Sequence, residues 1–134
     1  MNGIEGLAPL LLVLPLAGFV VTALIGRRLH KQAHWIPVLA IGAVWLIAMG
    51  LVIQVLTGAA PVIAGEGEEA IHGFEMHLFT WIPAGEFVAD VGLVIDPLTS
   101  ALLVVVTTVG LLVHVYSIGY MSHDPGYWRF FAYL

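Results

Sequence analysis

The stretch "DPLTSALLVVVTTVGLLVHVYSIGYM", Asp96 to Met121, carries one acid at its first position and no other Asp, Glu, Lys or Arg. The charge-free run extends from Pro97 to His123, 27 residues, and an α-helix needs only about 20 to cross a hydrocarbon core of about 30 Å. Its start is well punctuated. Asp96 can accept hydrogen bonds from the free N–H groups of a first turn, and Pro97 falls at the first helical position, where a missing N–H costs nothing. Helical spacing then lines up Ser100, Thr107, Gly110, His114, Ser117 and Met121 as a narrow small-and-polar stripe on a rod of Leu and Val. In a membrane such a stripe faces protein rather than lipid.

Two further charge-free runs precede it: Gly6 to Gly26, 21 residues, and Gln32 to Gly65, 34 residues. With 60% hydrophobic residues, 10% charged residues and a mean hydropathy of +1.02 over 134 residues, the composition lies far from that of soluble domains. The chain therefore reads as an all-α membrane protein with spans near residues 6–26, 35–57 and 97–121. The first is not a secretion signal, because Glu5 and no basic residue precedes it and the basic cluster follows it. Pro15 predicts a kink within it. Arg27, Arg28 and Lys31 sit between the first two spans, and short basic loops face the cytoplasm. The N-terminus is then outside. Trp35 is placed as an interfacial anchor, and Gly42, Ala43 and Gly50 offer close approach to another helix.

Residues 58–95 form the outer connection. Its first half, including the acidic cluster Glu66, Glu68 and Glu69, has too few large apolar residues to fold alone; the cluster reads as a solvated loop that could also attract cations or a partner. The second half alternates with a period of two. Phe74, Met76 and Leu78 oppose Glu75 and His77, while Phe87, Ala89, Val91, Leu93 and Ile95 oppose Glu86, Val88, Asp90, Gly92 and Val94. A β-hairpin on the outer, periplasmic side follows, with Pro83, Ala84 and Gly85 as its connection. A lone hairpin is marginal in water, so it should lean on a neighbouring surface.

The helix-start signal then recurs, since Asp124 precedes Pro125 as Asp96 precedes Pro97. A fourth helix is expected over 125–134. Tyr127 to Leu134 would rise only about 12 Å at 1.5 Å per residue, so the chain is expected to continue within a longer protein. Three segments in order, "DPL" at Asp96 to Leu98, "HVYSIGYM" at His114 to Met121, and Asp124 with "RFFAYL" from Arg129 to Leu134, closely resemble the N-terminal region of the antiporter-like subunit L, or chain 5, of respiratory complex I. That resemblance is strong from about Phe79 onward; earlier it rests on layout. It implies a membrane-arm subunit that couples NADH-to-quinone electron transfer to proton pumping, in an energy-transducing membrane such as the bacterial inner membrane. It also implies other membrane-arm subunits as partners, with NAD, flavin, iron–sulfur clusters and quinone held there. The glutamates and lysines that carry protons in the family belong to later helices, which implies a scaffold and interface role for this part.

His114 is the one ionisable group inside a span, and such groups are costly to bury. It reads either as part of a proton or water pathway, with Ser117 and Thr107 as partners, or as a neutral packing residue. Arg129 reads as an interface anchor, paired with Asp124 or with headgroups. His72, Glu75 and His77 lack a third ligand on one face and read as surface groups rather than a metal site. The absence of cysteine excludes cysteine-bound clusters and thiolate nucleophiles in this chain. Four Lys plus Arg give no basic footprint for nucleic acid. Two rivals share these features: the large subunit of a multisubunit sodium/proton antiporter or membrane-bound hydrogenase, and a self-contained membrane scaffold. Genes flanking the coding sequence and codons beyond Leu134 separate them.

Overall fold

The computed structural model describes residues 4–67, 70–84 and 87–134. Among the described residues there are four α-helices: α1 Leu10–Leu29, α2 Trp35–Leu56, α3 Pro97–Tyr120 and the short α4 Tyr127–Tyr133. The first three are long and apolar enough to cross a membrane. Helix α1 starts later than the apolar run suggests, because Ile4–Leu7 forms a 3-10 turn ahead of it. It then continues through Arg27 and Arg28 to Leu29. The helix also runs unbroken through Pro15, whose ring cannot donate to the carbonyl one turn back. Pro37 costs α2 no hydrogen bond, since it lies in the first turn, where N–H groups have no helical acceptor.

Helix α2 is the centre of the assembly, packed against α1 on one side and α3 on the other, while α4 packs against α1. The tightest approach between α1 and α2 is at Gly18, where an added Cβ would stand 3.1 Å from the Ala40 Cβ. At Gly26 an added Cβ would meet the Trp128 ring at 3.4 Å, which is where α4 seats. Gly42, singled out from the sequence as a close-approach position, has only an ordinary contact to Leu111, 3.9 Å away. The tighter glycine contacts are those of α1, Gly18 against Pro37 and Ala40 of α2 and Gly26 against the Trp128 indole.

Between α2 and α3 the described residues form four strands: β1 Val62–Ala64, β2 Ile71–His72, β3 Phe74–Ala84 and β4 Phe87–Ile95. β1 and β2 form a small antiparallel ladder. The loop expected in this first half is thus partly ordered, tied down by His72 Nδ1–H donating to the Ala60 carbonyl (2.7 Å) and Gly73 N–H donating to Pro61 (2.9 Å). Glu68 and Glu69 of the acidic cluster lie outside the described residues, as do Gly85 and Glu86 of the hairpin.

β3 and β4 pair antiparallel from Phe74↔Ile95 to Ala84↔Phe87. Pro83 and Ala84 are paired strand residues, so the connection is shorter than the three residues assigned to it. β4 keeps its expected alternation, but β3 does not. Its register shifts twice, leaving Leu78 and Trp81 without opposite numbers, and Phe79 rather than Leu78 falls on the same face as Phe74 and Met76, where it is exposed. Each bulge inserts one residue and restores the apolar positions to one side. The root of the hairpin is its anchor: Phe74 and Ile95 are buried with Leu51 and Val55 of α2, Ala8 before α1 and Ala60. Away from that root the hairpin is open, with Trp81 70% and Phe87 65% exposed.

Candidate functional site at the helix junction

Helix α3 begins as its sequence dictates. The Asp96 carboxylate accepts from Thr99 N–H at 2.7 Å, with Pro97 at the first helical position. The Thr99 backbone bond, with smaller help from its side chain, holds the Asp96 carboxyl below its ordinary value. The second Asp-Pro pair behaves differently. Asp124 accepts from Gly126 N–H at 2.6 Å, closing a turn over Pro125, and α4 starts two residues beyond that proline with Gly126 in the cap position. The Asp124 bond to the second residue makes an Asx turn that precedes α4, whereas the Asp96 carboxylate bonds an amide within the first turn of α3 and caps that helix directly.

The polar stripe of α3 faces inward. Ser100, Thr107, His114 and Ser117 are all buried. They do not form a continuous hydrogen-bonded file. Thr107 Oγ1 donates to the Leu103 carbonyl at 2.6 Å, and Ser100 Oγ has no partner among the described residues. His114 Nδ1–H donates to the Gly110 carbonyl at 2.8 Å, so neither Ser117 nor Thr107 is its partner. A ring one turn above a carbonyl on its own helix reaches that carbonyl more directly than a side chain one or two turns away. The bond occupies the Nδ1 side of the ring and leaves Nε2 without a partner among the described residues. The ring lines a cavity of about 320 Å³ between helices, walled by Pro15, Leu16 and Phe19 of α1, Pro37 and Ile41 of α2 and Phe131 of α4.

Two features were not visible in the sequence. Trp45 Nε1–H on α2 donates to Thr108 Oγ1 on α3 at 3.0 Å, a polar bolt across apolar helices. At the basic end, His34 before α2 meets Tyr127 of α4, the hydroxyl 2.8 Å from Nδ1 and the rings edge to face. The same Nδ1 is 2.9 Å from the Lys31 carbonyl. Trp35 is 56% exposed beside this cluster, and Arg129 stands 6.0 Å from the Trp128 ring centroid. Among the described residues Arg129 makes no ion pair with Asp124.

On the hairpin, His77 pairs with Asp90 at 3.1 Å, and Thr80 Oγ1 donates to the same carboxylate at 2.6 Å. His72 is spent on Ala60, and no cluster of three metal-ligating side chains exists among the described residues.

The sequence is similar to known proteins of one kind. Residues 81–131 match the model described as NADH-ubiquinone oxidoreductase (complex I), chain 5 N-terminus. NADH-quinone oxidoreductase subunit L of Mycobacterium tuberculosis is 40% identical over 126 residues, covering 93% of this chain and 18% of the relative. NAD(P)H-quinone oxidoreductase chain 5 of Synechocystis is 41% identical over 125 residues, 79% of this chain and 18% of the relative. The chloroplast subunit 5 of Mesostigma viride is 54% identical over 57 residues, 42% of this chain and 9% of the relative. The chain therefore spans less than a fifth of the length of the two longer-matching relatives. Over most of its length, at about 40% identity, the chain is similar to the N-terminal region of subunit L and chain 5 proteins of NADH-quinone oxidoreductases.

Proposed function

We propose that this chain is the N-terminal scaffold of a proton-translocating membrane-arm subunit of an NADH:quinone oxidoreductase. The carrying observation is the 40% identity to subunit L over 93% of the chain. The subunit works without a redox group of its own: NAD, flavin, iron–sulfur clusters and quinone belong to partner subunits, and electron transfer there drives proton movement in the membrane arm. No Asp, Glu, Lys or Arg lies in the interior of the three apolar helices, so on this reading the buried carboxylates and lysines that carry protons lie outside this chain, and its main work is to pack and to present surfaces to neighbouring subunits. Purifying a tagged copy from native membranes tests this. Recovery of NADH:quinone reductase activity with the redox subunits is the expected result; recovery with sodium/proton antiporter or hydrogenase subunits, or alone, overturns it.

Orientation follows from charge. Arg27, Arg28, Lys31 and Arg129 all flank one end of the helices, which supports a cytoplasmic loop, an outer N-terminus and an outer, periplasmic hairpin in a bacterial inner membrane or its equivalent. His114 is proposed as a local proton or water station, since its free Nε2 belongs to a ring lining the interhelical cavity. Replacing it with Ala in the assembled enzyme should lower protons pumped per NADH while leaving reductase turnover intact; unchanged pumping overturns the proposal.

A further inference from the structure

We propose that the basic end of the bundle holds a site for the phosphate of an anionic phospholipid, in the cleft where the α1–α2 connection, the end of α3 and the start of α4 converge. The cleft encloses about 190 Å³ and is lined by Lys31, His34, Ile118, Ser122 and Tyr127. That space exceeds several times the roughly 30 Å³ that one water molecule occupies in the liquid, so a phosphate group fits.

The donors present suit an anion. Lys31 makes no salt bridge among the described residues. The Tyr127 hydroxyl is the second donor, as the geometry at His34 shows. A backbone carbonyl only accepts, so the 2.9 Å contact from His34 Nδ1 to Lys31 O requires a proton on Nδ1. That N–H is then shared with the Tyr127 oxygen at 2.8 Å, and the hydroxyl's own hydrogen stays unspent. Ser122 is not a donor to the cleft, because its hydroxyl donates to the Gly119 carbonyl at 2.7 Å; it and Ile118 form the wall. The turn that places Lys31 and His34 is itself strained: His30 has φ 48, in the left-handed region that non-glycine residues seldom adopt. Strain of this kind persists where surrounding structure requires it.

Charge and depth favour lipid over free phosphate. All four Lys and Arg residues lie at this end, whereas eight of the nine Asp and Glu residues either precede α1 or fall between α2 and α3; Asp124 is the exception. Trp35 at 56% and the stacked pair Tyr116 and Tyr120, 67% and 70% exposed, ring the same end. Exposed Trp and Tyr collect at headgroup depth, and basic pockets between membrane helices bind anionic headgroups.

The test uses the full-length protein in its purified complex, exchanged into nanodiscs of phosphatidylcholine with and without phosphatidylglycerol carrying a photoreactive group. Crosslinking to the peptides around Lys31 and Tyr127 should favour the phosphatidylglycerol probe over the matching phosphatidylcholine probe. The preference should fall about fivefold in Lys31→Gln, persist in Lys31→Arg, which keeps the charge, and weaken in Tyr127→Phe, which keeps the ring. Equal labelling by both probes overturns the proposal, as does an unchanged preference in Lys31→Gln. Competition by millimolar inorganic phosphate overturns it in favour of a soluble anion. The proton-pumping proposal is untouched by any of these outcomes.

Discussion

Gly73 illustrates how one residue carries the hairpin's attachment. An added Cβ would stand 2.5 Å from the Ile95 carbonyl oxygen and 2.7 Å from the Ile63 side chain, and the first of these obstacles is backbone that cannot step aside. Gly73→Ala should therefore lower stability by about 2 kcal/mol, as overpacking does, read as a drop in thermal midpoint in detergent, while an alanine at open Gly110 leaves the β-strands undisturbed. At Asp90 the chemistry is electrostatic. The Thr80 hydroxyl first, and then His77, hold its carboxyl below the ordinary value of 3.8. A carboxyl more acidic folded than unfolded supports the hairpin above the ordinary carboxylate range, and that support disappears as pH falls through the lower folded value. Carboxyl titration by NMR should place Asp90 below 3.8, and Thr80→Ala should return it toward that figure. The sequence carried Asp90 only as an outward position of an alternating strand. Its partners His77 and Thr80 became visible through the register, since Thr80 faces Asp90 only after the shift at Leu78.

Among the elements, α2 and α3 were legible as apolar rods, but their contact was not. Trp45 and Thr108 are 63 residues apart, and nothing in either helix's periodicity couples them. In lipid there is no hydrophobic drive to hold one helix on another, so small-residue packing and such interhelical bonds do the work. Trp45→Phe and Thr108→Val should each cost about 0.6 kcal/mol, and the double variant no more than about either single one, because both remove the same bond. Additive losses in a double-mutant cycle would show that the bond contributes nothing. The fourth helix gives the opposite lesson. Its Asp-Pro signal was read as a copy of the one at Asp96, yet the side chain bonds two residues on instead of three. Glycine at 126 stands where leucine stands at 98 and tyrosine where threonine stands at 99; here the glycine amide meets the carboxylate, and the helix opens at Tyr127, where the ring can also reach His34.

At the scale of the whole molecule, charge divides the chain into two ends, and the orientation proposed from it is directly testable because the chain has no cysteine. Single cysteines at Lys31 and at Glu75 should react with a membrane-impermeant maleimide from opposite sides, Glu75 in intact cells or right-side-out vesicles and Lys31 only in inverted ones. Labelling of both from one side would refute the topology. What the sequence determined by itself was the number of helices long and apolar enough to cross a membrane, the hairpin and the start of α3, because each follows from local rules: run length against bilayer thickness, alternation against strand pleat, and a carboxylate one turn from free amides. What only the tertiary structure decided was the strand register, the Trp45–Thr108 bond, the partner of His114 and the His34–Tyr127 cleft. Each of these depends on which surfaces meet, and in a chain this uniformly apolar, periodicity marks a face without naming its partner.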